Sequence, residues 1–122
     1  MGRTTNGLIK SRNAVAAIAG MRLITEGAVD GACALAVDAT KNIIGVSSEL
    51  DTIAGERVSV IMVGNICPVV YGGTVTRGDA LTADAQGRAI TTTTTGARIG
   101  GTAEISGVLG DIGSIVVNPG IL

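Results

Sequence analysis

The side chains that could do chemistry in this 122-residue chain are few, and their spacing is unhelpful. There is no histidine, which removes the usual general base, the commonest metal ligand and the ordinary nucleophilic triads. Cys33 and Cys67 stand 34 residues apart (67 − 33) with no CxxC pairing. As nucleophiles each would need a base and an orienting group, which the sequence does not offer, so they read as small buried thiols of a reducing compartment. Asp38, Glu49, Glu56, Asp84, Glu104 and Asp111 lie at turn positions, where a carboxylate caps backbone amides. No calcium-loop spacing matches them, and Gly100-Gly101 lacks the lysine of a phosphate-binding loop. Arg77-Gly78-Asp79 spells an integrin-recognition tripeptide, but at the start of a strand it reads as a tight turn. Asp84-Ala85-Gln86-Gly87-Arg88 occupies a hairpin where a lipoyl or biotinyl carrier would present lysine, and has none. Lys41 lacks the neighbours of such carriers. The chain is read as non-enzymatic, with no cofactor and no metal site.

Composition narrows the class further. With 46% apolar residues but no Trp, no Phe and one Tyr, the core must be built from Val, Ile, Leu, Ala and Met. Nineteen glycines divide short β-branched runs, which is the pattern of a barrel or sandwich. The length suits one domain. A net charge of −1 gives no broad attraction to nucleic acid or anionic membrane, and one aromatic residue gives no stacking platform. No apolar run reaches a membrane span, and the N-terminus lacks a signal-peptide pattern.

The elements that must position these residues are written twice. Ile44-Gly45 through Glu49, Gly55 and Ser59 recurs 55 positions later (99 − 44) as Ile99-Gly100 through Glu104, Gly110 and Ser114, without a gap. Upstream, Leu35-Ala36-Val37-Asp38-Ala39 echoes Leu81-Thr82-Ala83-Asp84-Ala85 at 46 (81 − 35), implying nine extra residues (55 − 46) near Thr91–Thr95. The repeat is placed at about residues 31–64 and 78–119. Turn signals every eight to twelve residues predict strands at 34–37, 43–47, 57–63, 66–71, 80–83, 88–92, 98–103 and 114–118. In 57–63, Val58, Val60 and Met62 share one face and Ser59, Ile61 and Val63 the other, so the strand is expected to be covered on both sides. Pro68 makes 66–71 an edge or bulged strand. The Thr91–Thr95 run extends a hairpin or forms a loop.

Residues 1–20 differ from the rest. Arg3, Lys10 and Arg12 are three cations with no carboxylate between them. The segment reads as an arm outside the core domain of residues 21–122, or as a frayed end or short helix packed on it.

The run Gly73-Thr74-Val75-Thr76-Arg77-Gly78-Asp79-Ala80-Leu81 through Gly87-Arg88-Ala89, and the ending Gly107-Val108-Leu109-Gly110-Asp111-Ile112-Gly113-Ser114 through Gly120, resemble the small capsid decoration, or cement, proteins of tailed bacteriophages. The likeness covers about residues 22–122. It implies an all-β barrel or sandwich of two quasi-equivalent halves with an N-terminal arm, made in the host cytoplasm and carried on the outer surface of the virion head. It implies binding to the major capsid protein and self-association, as homotrimers ahead of homodimers, with no nucleic acid or membrane partner. Residues 1–20 match that arm by position; by local charge and pattern, Arg3, Lys10 and Arg12 would meet acidic capsid surface, and Leu8 and Ile9 would add a short strand to it. The rival reading is a fibre or adhesin module displaying Thr91–Thr95 or Arg77–Asp79.

Overall fold

The structure, a computed structural model, describes residues 9–122. It is all-β, with no helix among the described residues. Strands β1 (Ile9–Ala14), β2 (Leu23–Glu26), β3 (Ala32–Leu35), β4 (Ile43–Ser47) and β5 (Arg57–Ile61) close a barrel in the order β1-β3-β2-β4-β5, with β5 returning to β1. Strands β6 (Ile66–Val70), β7 (Ala80–Ala83), β8 (Ala89–Thr91), β9 (Arg98–Ala103) and β10 (Ile112–Ile121) form a second sheet in the order β6-β10-β9-β7-β8. Cut between β1 and β3, the barrel reads β1-β5-β4-β2-β3, which is the second sheet's order with every number lowered by five. Where the barrel closes through the parallel β1–β3 ladder, the second sheet has a single parallel bridge, Tyr71–Ala89.

The two halves keep step along the chain. The starts of β1, β2 and β3 lie 57 residues before those of β6, β7 and β8 (66 − 9, 80 − 23, 89 − 32). For β4 and β5 against β9 and β10 the offset is 55 (98 − 43, 112 − 57). The echo at 46 is therefore overturned: Leu35 lies in β3, whereas Leu81 lies in β7, the counterpart of β2. The second half has no nine-residue insertion and is two residues shorter between its third and fourth strands. Its boundaries also move, because the paired sheets span 9–61 and 66–121. Met21, with φ 58°, stands 57 residues before Gly78, with φ 92°, so a left-handed turn is kept even where a side chain makes it costly.

This frame corrects the N-terminal boundary. Of residues 1–20, the part the structure describes is built into the barrel: β1 pairs with β5 from Ile9–Ile61 to Asn13–Arg57, and Ala14 and Ile18 are buried. Arg3 and Leu8 lie outside the described residues. Strand β1 is polar at its four central positions, yet its backbone completes the barrel, and an open edge there would leave unpaired amides. Strands at 43–47, 80–83 and 98–103 match the expected bounds, and 66–71 is the expected edge strand, since β6 pairs within its sheet only with β10. The threonine run is not a hairpin extension: β8 ends at Thr91, and the following loop is tied by Gly96 N to Leu122 O (2.8 Å) and Leu122 N to Ala97 O (2.8 Å).

Two apolar clusters hold the fold. One fills the barrel with Ile24, Cys33, Val58, Val60 and Met62. The larger joins Leu23, Ile43 and Val46 of the barrel to Val69, Tyr71, Leu81, Ile115 and Val117 of the second half. Ile61, on the outward side of β5, packs against this larger cluster, but Arg57 and Ser59 on the same side are exposed, so the expected cover on both sides is met only at Ile61. Tyr71 explains how one half became different. It takes the place of Ala14 (71 − 57), and the positions matching Thr52 and Val58 are Gly107 and Gly113 (offset 55). A Cβ at Gly113 would overlap the Tyr71 ring, so the ring fills space that two side chains fill in the barrel.

Candidate docking surface

Several of the groups suspected of chemistry are occupied in structure. The Asp79 carboxylate accepts from Thr76 N (2.9 Å) and Thr91 Oγ1 (2.8 Å), and Asp79 N donates to Thr76 O, so Arg77-Gly78-Asp79 is a locked turn. Asp84 binds Gln86 N, Arg88 N and Arg88 Nε, which fixes the β7–β8 hairpin. Lys41 sits in the β3–β4 connection, which is not the counterpart of that hairpin. At the same connection, hydrogen bonds from the Thr40 hydroxyl and amide hold Asp38 below the ordinary carboxylate range. Burial raises both thiols, Cys67 to about 11, which leaves them protonated and unreactive near neutrality. Among the described residues no cluster of His, Cys, Asp and Glu could hold a metal ion.

The structure separates the arm residues by face. Ile9 is exposed opposite Ile61, on the outer side of the β1–β5 pair, and its strand is already paired within the barrel. Lys10 and Arg12 lie on the other side of β1, beside an open cavity of about 590 Å³ that Glu26 and residues 27–31 complete. Arg12 Nη1 holds Glu26 Oε1 at 3.0 Å, so its charge is partly spent within the fold.

What the surface does offer is aliphatic. A groove of about 420 Å³ runs along the seam between the halves, lined by Met21, Ser48, Leu50, Ser59, Ile61 and Pro68. Ile9 extends one bank from Ile61, its register partner. On the other bank Pro68 shares its face with Ile66 and Val70 of β6 and with their partners Val116 and Ile112 of β10. Ile66 and Ile112 are both more than half exposed. The banks are stitched by Met21 N to Ser48 O (2.9 Å) and Val70 N to Met21 O (3.0 Å). Proline at position 68 removes one amide from the outer edge of β6, which blunts that edge against indiscriminate strand pairing. Sequence reasoning missed this face, because an exposed Ile or Leu has the same letter as a buried one; only the pairing register sorts them.

The sequence profile of a family described as "Phage cement protein" matches residues 5–108. The chain belongs to that family. Its members are structural proteins of the virion, at the capsid surface. The match begins ahead of β1 and runs through β9 into the β9–β10 loop, so β1 belongs to the family's domain. No curated protein sequence matches the chain. Among solved structures, the N base of head fiber gp8.5 of bacteriophage phi29 is similar, with a TM-score of 0.70 and 20% identity, covering 94% of this chain and 97% of that one. At that identity the likeness speaks for the fold.

Proposed function

We propose that the chain binds the outer surface of a phage head as a homo-oligomer and bridges and stabilises subunits of the major capsid protein. The observation that carries this reading is the family match over residues 5–108, on a fold whose Asp79 and Asp84 carboxylates are spent on turns. The broad aliphatic seam, from Ile9 and Ile61 across the groove to Pro68, Ile66 and Ile112, supplies apolar area for such contacts without aromatic anchors. A homotrimer is favoured over a homodimer, and velocity sedimentation of the purified chain distinguishes them.

The test of location is quantitative. Purified virions are imaged and the chain counted against the major capsid protein. Copies in a fixed lattice ratio over the head support the reading, and absence from the head ends it. The head-fiber likeness favours a second reading, in which the chain is the base of a displayed module. A few copies carrying additional outward density would decide for that reading.

A further inference from the structure

We infer that the β4–β5 loop (residues 48–56) and the β9–β10 loop (residues 104–111) are two copies of one docking element, with which a single chain grips the same site on two neighbouring partner subunits. The site they fit is apolar and rimmed by lysine or arginine. This inference rests on the proposed binding to a head, whose lattice supplies identical sites side by side.

The loops share a backbone. Ile18 and Thr52 exchange two hydrogen bonds, as do Val75 and Gly107. Gly55 N donates to Ala14 O, and Gly110 N to Tyr71 O. Glu56 N donates to Ile53 O, and Asp111 N to Val108 O. The Asp51 side chain receives Gly20 N just as the Ser106 side chain receives Arg77 N. A loop so tied does not flop its side chains outward by default. Yet both copies hold aliphatics out at the same two places: Leu50 at 75% and Ile105 at 46% exposure, Ile53 at 64% and Val108 at 54%.

Divergence elsewhere makes this informative. Buried positions of the two halves have been exchanged freely, Ala14 for Tyr71 and Val58 for Gly113, because the core only had to stay filled. A single exposed aliphatic is ordinary, but Val15, Val29 and Val63, exposed in the first half, match Gly72, Gln86 and Asn118 in the second and are not kept. Four aliphatics retained in two matched loops call for a partner that covers them. Charge gives the partner's rim. Residues 48–56 carry Glu49, Asp51 and Glu56, residues 104–111 carry Glu104 and Asp111, and neither loop contains a lysine or arginine. Neither ion pair among the described residues involves these carboxylates. The roots of the loops are also close: Ser48 bonds Met21, Met21 bonds Val70, and Val70 is the register partner of Ile112. Both elements thus flank one side of the molecule, as two feet must.

The test uses the full chain added to heads that lack it. Two loop variants, Leu50→Ser with Ile53→Ser and Ile105→Ser with Val108→Ser, are compared with the four-site variant, each checked for native melting. Because linked contacts multiply, each two-site variant should weaken binding by on the order of 100-fold, to similar extents, and the four-site variant should show no saturable binding. Glu49→Lys with Glu104→Lys, which leaves the apolar side chains in place, should also weaken binding. Added salt should weaken wild-type binding, and less so once the rim is reversed. If one loop carries the whole effect and the other none, the two-footed element is wrong. If every variant binds like the wild type, the loops are not the contact, although the head-binding reading stands. If the unaltered chain does not bind heads, that reading falls, and this inference with it.

Discussion

Tyr71 is the residue where the two halves can be weighed against each other. Its hydroxyl donates to Ile105 O (2.6 Å), and its ring lies in space left by Gly107 and Gly113. Tyr71→Ala alone should cost roughly 3–5 kcal/mol, since a large cavity opens. Gly113→Val alone should cost about 1–3 kcal/mol or more by overpacking the ring. Made together they restore the barrel's own pairing of Ala14 with Val58, so the double variant should be more stable than the sum by at least about 1 kcal/mol in urea unfolding. Additive losses would show that the rest of the half has repacked around the tyrosine. Cys67 offers a second test. Its thiol keeps its proton up to about 11, against an ordinary 9.0. Between those values the unfolded chain releases a proton that the folded chain retains, so stability must fall as pH rises through that window. Cys67→Ala should flatten part of this slope, with Cys33 and Tyr71, also raised by burial, supplying the remainder. An unchanged slope would remove Cys67 from the account.

At the scale of elements, the matched loops make a prediction that needs no binding partner. Gly55 and Gly110 have φ of 85° and 89°, with nothing within 4 Å of a built Cβ. Alanine at either therefore meets no clash and pays only for a left-handed backbone, about 1–2 kcal/mol. The two costs should agree within error in thermal or urea unfolding; a large inequality would show that the loops are not the same structure. Legibility followed the physics of each element. The frame from Ile44 to Asn118 is readable because left-handed glycines, Gly55 and Gly110, fix the β4–β5 and β9–β10 turns in both copies. Strands β1 and β2 are not legible as strands: Ile9–Ala14 has an outer face of Ile, Ser and Asn, and its reason for being a strand is the open edges of β5 and β3. The five-residue echo at 46 misled because Leu, Ala and Asp recur at any strand end, whereas the true offset of 57 pairs such unlike residues as Ala14 and Tyr71. The docking surface was hidden for a related reason: Leu50 and Ile105 are legible as repeat positions, and their exposure is legible only from the folded loop.

At the scale of the whole molecule, the halves are fused through a shared core, since Leu23, Ile43 and Val46 of the barrel pack with Tyr71, Leu81 and Ile115 of the second half. One rigid body then presents its aliphatic seam and both loops in fixed relation, which lowers the ordering cost of binding. A protein of this kind acts on a shell by occupying it. Each filled site stabilises the bound form by RT ln(1 + [L]/Kd), about 2.7 kcal/mol at a hundredfold excess over the dissociation constant. Heads lacking the chain should therefore show a disruption temperature that climbs with the logarithm of added protein above the dissociation constant. The increments should be smaller at high salt if carboxylate rims such as Glu49 and Glu104 face cations. Calorimetry of heads over a concentration series measures this directly. A disruption temperature indifferent to concentration, with binding independently demonstrated, would mean that the chain binds intact and disrupted shell equally and decorates without stabilising, because a ligand with no preference shifts no equilibrium.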